Sequence, residues 1–403
     1  MRKVFIWGAG TYADVVYQSL IKDRCELLNI IDSNERRHQT IWKDHIKITA
    51  PEILLSAEYD YVIVSPKISG SIVKQCLSMG IDKKKIIDFW DGDYTYDFID
   101  NNRKNISHLE DEVKKYKLRW ENAPYELGIE LTPSIKSAAE LIDYLIKENA
   151  SLCRFGDGEF EIMCGRERPW FQSADKELGE RLREIIKSKD KNIAIAIADD
   201  FGNLDCYTEE AADAIRRYMQ KNIRNTVMEY IDLNRTYYDA YISRPYILYK
   251  DKNNAKVKFE LVKKLWDDKK VLLIEGTYAR MGVGNDLLSN VKSLKRIICP
   301  HKEAFDKYDE ILKTAKRQLM DTGADLVLIS LGPTATVLAY DLAKSGAAAL
   351  DIGQIDNEYE WYLRKAEKRM PIPNKMTAEY DGLSEIEDEK NELYNRQIVY
   401  IVR

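Results

Sequence analysis

Short apolar runs of strand character recur along the later part of the chain, at 192–199 (NIAIAIAD), Val271–Glu275, Arg296–Cys299, Asp325–Ser330 and Ala348–Ile352, with helix-patterned segments between them. Alternation of this kind places the strands in a mostly parallel sheet covered by helices on both faces. The fold class is therefore α/β. In such sheets ligands sit beyond the carboxyl ends of the strands. The residues that follow each run are thus the first candidates for function.

The stretch Ser151–Arg168, SLCRFGDGEFEIMCGRER, carries the densest set. Its apolar run breaks at Gly156, and Gly156 and Gly158 permit a tight turn and close backbone approach to a ligand. Asp157 and Glu159 follow one residue apart. Held together, two such carboxylates suit a divalent cation that neutralises a diphosphate leaving group. Arg154 is placed to pair with phosphate in a bidentate manner. Read alone, the same residues also fit a solvated turn.

Other strand ends add to this. Glu275-Gly276 leads into Arg280, Gly282, Gly284, Asn285 and Asp286, a glycine-rich loop expected to precede a helix at Leu287-Leu288. Gly332 and Pro333 open a helix whose free N–H groups, with Thr334 and Thr336, suit an anion. The block Asp351–Trp361 is rich in acids. A transfer that inverts an anomeric centre needs a carboxylate to accept the acceptor hydroxyl proton, and Asp351 and Glu358 are the candidates. Glu358 and Glu360 equally fit a solvated helix face.

Four blocks, RFGDGEFEIMCGR at 154–166, EGTYARMGVGNDLL at 275–288, LGPTATVLAYDLAKSG at 331–346 and DIGQIDNEYEWYLR at 351–364, resemble in order those of the GT-D-type glycosyltransferases. That family was first catalogued as a domain of unknown function in bacterial glycosylation loci. The resemblance implies a Rossmann-like catalytic domain that moves a sugar from a UDP-sugar donor to an acceptor glycan on a protein or lipid carrier. It implies that Asp157 and Glu159 hold Mn²⁺ or Mg²⁺ against the diphosphate, with Arg154, Glu275, Arg280, Gly284, Asn285, Asp286, Thr334, Thr336 and Gln354 around the substrate. Gln354 stands where the family pattern has a histidine, so only a neutral hydrogen-bonding role carries over. The rival readings are an NAD-dependent nucleotide-sugar oxidoreductase or epimerase and a non-catalytic nucleotide-sugar-binding protein.

The start of the chain, residues 1–93, repeats the strand–glycine–helix pattern in KVFIWGAGTYADVVYQSLI. Gly8 and Gly10 form the turn, and Asp32 closes the next strand. In a dinucleotide fold those positions meet pyrophosphate and ribose. The domain resembles the small Rossmann-like domains of bacterial sugar-modifying enzymes, and a bound nucleotide is one reading. A degenerate unit kept for packing is the other. Residues 94–131 read as a charged linker with a helix over Leu109–Trp120, and residues 132–403 as the catalytic domain, opening with a helix capped by Thr132-Pro133. On the linker helix Ile106, Leu109, Val113, Tyr116 and Trp120 fall near one face; docking on a domain or pairing with a second subunit in a homo-oligomer is one reading, and a solvated connector helix is the other.

A net charge of −5 argues against a general nucleic-acid binder and leaves room for a local basic pocket for a nucleotide. No apolar run reaches the roughly 20 residues that span a bilayer. A cytoplasmic location is expected. Six cysteines without a C-x-x-C pair and four scattered histidines argue for reduced thiols and against a zinc site.

Overall fold

The computed structural model describes residues 1–43, 46–91, 96–166, 172–377 and 391–403. It divides into two compact units, Met1–Lys117 and Leu118–Arg403. The division falls within the helix Asn101–Glu126.

The first unit is a six-stranded sheet in the order Ile41–Lys43, Ile46–Thr49, Cys25–Ile31, Arg2–Trp7, Tyr61–Val64, Ile86–Asp88. Only the first pair is antiparallel. Successive side chains of a strand face opposite sides, and both sides are covered here. Val4 and Ile6 pack with Ala13 and Val16, while Phe5 and Trp7 pack with Leu54 and Cys76. That double burial is why the run is apolar at every position.

Gly8 lies at φ +105, and a Cβ there would overlap Pro66 and Ser65. Gly10, at φ −79, needs no glycine conformation. The Asp32 carboxylate accepts from Ala9 N–H at 2.9 Å, Asn34 N–H at 2.8 Å and Arg37 Nη1 at 3.1 Å. Asp32 thus staples the glycine turn to the adjoining strand, with its oxygens occupied by protein donors.

The second unit holds a nine-stranded sheet in the order Ile398–Ile401, Ser293–Cys299, Lys270–Gly276, Leu326–Ser330, Ala349–Asp351, Ser151–Phe155, Ile193–Ile197, Thr236–Asp239, Ser134–Lys136. Every neighbouring pair is parallel. All carboxyl ends therefore open on one side. Helix Pro333–Lys344 crosses the sheet with Ala335, Val337, Leu338, Ala339 and Leu342 fully buried.

Local departures from the sequence reading have identifiable causes. Thr132-Pro133 does not cap a helix. Ser134–Lys136 instead joins the sheet edge beside Thr236–Tyr238. The helix then starts at Ala138, where Ser137 and Glu140 form a reciprocal capping box. No helix forms at Leu287-Leu288: both side chains are buried in a run of turns and plug the core beneath the loop. The linker helix is longer than its apolar face suggested, spanning Asn101–Glu126. The sequence also reads as a charged, exposed helix or loop over 385–392, of which 385–390 lie outside the described residues. Among the described residues no helix is long and apolar enough to cross a membrane.

Candidate active site

The parallel strands deliver their carboxyl ends to one cavity of about 490 Å³. Ser151–Phe155 contributes Arg154, Gly156, Asp157 and Glu159, and Ile193–Ile197 leads into Asp200. Thr236–Asp239 is followed by Tyr241, Ser243 and Arg244, Lys270–Gly276 by Met281, and Ser293–Cys299 by His301. Leu326–Ser330 brings Gly332 and Pro333, and Ala349–Asp351 brings Gly353, Gln354, Asp356 and Asn357.

Asp157 and Glu159 stand on the first turn of the helix Asp157–Met163, not in a bend. Acids are favoured there by the exposed N–H groups. Asp157 Oδ1 accepts from Gly158 N–H at 2.9 Å, and Glu159 Oε2 accepts from Gly156 N–H at 2.7 Å. Arg154 is fixed from several sides. Its Nη2 meets Asp351 Oδ1 at 2.7 Å, its Nε donates to Asp351 O at 2.9 Å, and its Nη1 donates to Ser243 Oγ at 2.7 Å. Gly353 makes this possible: at φ +49, a Cβ there would occupy the space of the guanidinium.

Asp200 lines the same cavity. Its Oδ1 accepts from the Tyr241 hydroxyl at 2.6 Å. Burial, reinforced by the charges of Asp157 and Asp199 and opposed by the Tyr241 bond, pushes its carboxyl up to about 7. The Asp356 carboxylate is held by Gly282 N–H at 2.8 Å, Asn285 Nδ2 at 2.9 Å and Lys375 Nζ at 2.6 Å.

The cavity thus gathers Arg154, Asp157, Glu159 and Gln354 of the side chains singled out in the sequence, with Gly156, Gly276, Gly332 and Pro333 from the turns. The other candidates of this unit lie outside the lining. Asp351 is buried and outside the cavity lining, and its carboxylate accepts from Arg154, Gly353 N–H and Thr336. Glu358 is buried, and its Oε2 accepts from Tyr246 N–H at 3.0 Å and Ile247 N–H at 2.9 Å. It anchors the 246–247 backbone, so neither it nor Glu360 is a solvated face.

Glu275 is fully buried against Arg296 Nη1 at 2.5 Å. Arg280 turns to Asn374 O at 2.9 Å. Asn285 bridges Asp356 and Glu360 at 2.9 and 2.7 Å. Asp286 faces Lys263 and Tyr359 at 3.0 and 2.7 Å. Thr334 is buried beside Gln172, Thr336 donates to Arg154 O at 2.8 Å, and Gly284 lies outside the lining. These residues brace the loops around the cavity.

A family model described as "Glycosyltransferase GT-D fold" matches residues 152–380, and one described as "C2185-like, N-terminal" matches residues 1–87. The chain belongs to the GT-D glycosyltransferase family. It is 40% identical over 269 residues to the probable glycosyl transferase Gly of Streptococcus gordonii, and 37% identical over 272 residues to glycosyltransferase GlyD of Streptococcus pneumoniae serotype 4. Each match takes in 66% of this chain but only 38% and 32% of those relatives. Among solved structures, one described as domain of unknown function 1792 with a distinct glycosyltransferase fold aligns at TM-score 0.64 and 35% identity, covering 71% of this chain and 99% of that one. A new glycosyltransferase of the same domain from Streptococcus sanguinis aligns at TM-score 0.62 and 37% identity, over 68% of this chain and 100% of that one.

Within this GT-D unit the donor set fits a hard cation of the Mg²⁺ or Mn²⁺ kind. Such ions are held by one or two carboxylates and complete their shell with water and substrate phosphate. Asp157 and Glu159 line the cavity from one helical turn. Among the described residues no group of three or more His, Cys, Asp or Glu is arranged to hold an ion by itself. Asp200 follows the strand Ile193–Ile197 much as Asp157 follows Ser151–Phe155, so the rule that selected Asp157 also reaches it. Tyr241 and Ser243 gave no such signal, because their strand, TYYD, has no apolar run.

Proposed function

We propose that this GT-D chain is a metal-dependent glycosyltransferase that takes a UDP-sugar as donor and a glycan as acceptor in bacterial glycoprotein or surface polysaccharide synthesis. The observation that carries the reading is the convergence of Asp157, Glu159, Arg154 and Asp200 on one cavity at the carboxyl ends of a parallel sheet. The cavity volume, about 490 Å³, lies within the range of small-molecule sites.

A bound Mn²⁺ or Mg²⁺, held by Asp157 and Glu159, would supply charge neutralisation to the departing diphosphate. The chain's own groups supply the rest. Arg154, locked by Asp351 and Ser243, presents positive charge without a rotamer search. Gly332 and Pro333 bring the start of helix Pro333–Lys344, whose positive dipole end favours an anion, to the cavity wall. Asp200 is our proton acceptor for the attacking hydroxyl, since a base works best with a proton affinity near the working pH. The Gly8–Gly10 turn is not used in this reading.

A panel of UDP-sugars assayed for UDP release with and without Mn²⁺ tests donor, metal and reaction class together. Metal-dependent release is expected, and Asp157→Asn should lose on the order of 100-fold or more in turnover with the fold intact. Turnover unchanged in that variant removes the metal assignment.

A further inference from the structure

The helix Glu209–Tyr218 turns one stripe to the cavity. Ala211, Ala214, Ile215 and Tyr218 line it, at the spacing that shares a helix face. Thr208 caps the helix through Ala211 N–H, and on its other sides Asp213 pairs with Arg119 and Arg216 with Glu126, so the stripe is held in place. Three of its four side chains are hydrocarbon. The fourth ends in a hydroxyl. That hydroxyl is buried and has no hydrogen-bond partner among the described residues, although Tyr218 as a whole is only half-buried. Buried polar atoms of folded proteins are nearly all paired, and one left over in a cavity wall marks a place where a ligand completes the bond.

Burial, and after it the charges of Asp157, Asp200, Glu159 and Glu161, hold the phenol well above its usual range. The group is therefore a neutral O–H donor, and its acidic surroundings favour a neutral ligand over a phosphate. We propose that the Tyr218 hydroxyl binds a hydroxyl of the sugar carried by the nucleotide donor, with the C–H face of that ring on Ala211, Ala214 and Ile215. The inference rests on the reading of the cavity as a glycosyltransferase donor site. A sugar suits each part of this wall. Its hydroxyls accept as well as donate, so one of them can accept from Tyr218 while donating to a carboxylate, and its C–H groups lie against small apolar side chains. Connectivity selects the donor's sugar over the acceptor's. That ring is bonded to the diphosphate, and Asp157, the acid set against the diphosphate in that reading, is also the carboxylate whose charge weighs most on Tyr218.

Tyr218→Phe removes the oxygen and nothing else. UDP, UDP-glucose, UDP-galactose and UDP-N-acetylglucosamine are each titrated by calorimetry into wild type and variant in the presence of Mn²⁺. For at least one of the three sugars, affinity relative to that of UDP should fall about 5- to 10-fold in the variant, the worth of one neutral hydrogen bond, while UDP itself binds both proteins alike. The urea midpoint of the ligand-free variant should be no lower than that of wild type, because the hydroxyl bonds nothing in the fold. Ratios unchanged for all three sugars, UDP weakened as much as the UDP-sugars, or a lowered midpoint would each overturn the proposal. A wild type that binds none of the four ligands instead overturns the glycosyltransferase donor-site reading, and this inference with it.

Discussion

At the scale of single residues, the cavity depends on pairs whose members have no meaning alone. Arg154 and Gly353 lie far apart in sequence, yet Gly353 lacks a side chain because the guanidinium occupies that space. Gly353→Ala should therefore displace Arg154, lowering turnover while costing about 1–3 kcal/mol of stability from the strained φ alone; turnover and a denaturant midpoint measured on the same preparation check both. Asp200 makes a second prediction, about pH. Burial raises its carboxyl to about 7, so activity should climb as the group loses its proton through neutral pH, and Asp200→Asn should abolish that limb of the profile. Stability runs the other way. A carboxyl whose folded value is raised stabilises the fold fully below the ordinary carboxylate range, and that contribution is lost as pH rises through about 7. The Asn variant should consequently gain on wild type between about pH 4 and pH 8, by on the order of 2–4 kcal/mol, as read from urea midpoints across that interval. Asp200 was within reach of the strand-end rule, whereas nothing local distinguishes Asp351 as a partner for Arg154 from Asp351 as a base. Their distance in space decides it.

At the scale of elements, what matters is how the loops after the strands are braced. The turn run after Lys270–Gly276 is held from beneath by the buried pair of Glu275 and Arg296, whose Nη2 also donates to Met281 O at 2.8 Å. Burial pushes Glu275 up, and Arg296 opposes this. Arg296→Leu should cost about 3–5 kcal/mol by leaving a buried carboxyl without its cation, whereas the double change with Glu275→Leu should recover much of that loss; thermal unfolding of the single and double variants separates the two. A second brace joins Asn285, Asp356, Glu360 and Lys375. Burial would raise Glu360, but hydrogen bonds from Asn285 and Lys375 hold it below the usual range. The sequence showed these acids and amides as a cluster after strand ends, and the resemblance pointed to substrate. In the structure they bind one another, because a glycine-rich loop this close to a cavity needs fixed partners to keep one shape.

At the scale of the whole molecule, each unit has its own hydrophobic core, one built around Val4, Ile6 and Ile63 and the other around Leu152, Ile195 and Leu328. Unfolding should then depart from a single two-state transition. Ile63→Ala, with Ile63 fully buried, should lower the first unit's transition by an amount equivalent to about 2–5 kcal/mol and leave the other in place, as calorimetry would read. The sequence by itself determined the α/β class, the runs that become parallel strands, the glycine turns and the acids of the Asp157 turn. These follow from burial of a strand on both faces and from backbone conformations that few residues adopt, both written locally. Only the tertiary structure decided strand order, which acids face the cavity and which are consumed in bracing it. Those outcomes depend on residues far apart in the chain competing for the same few hydrogen bonds and the same buried volume, and no local pattern records who wins.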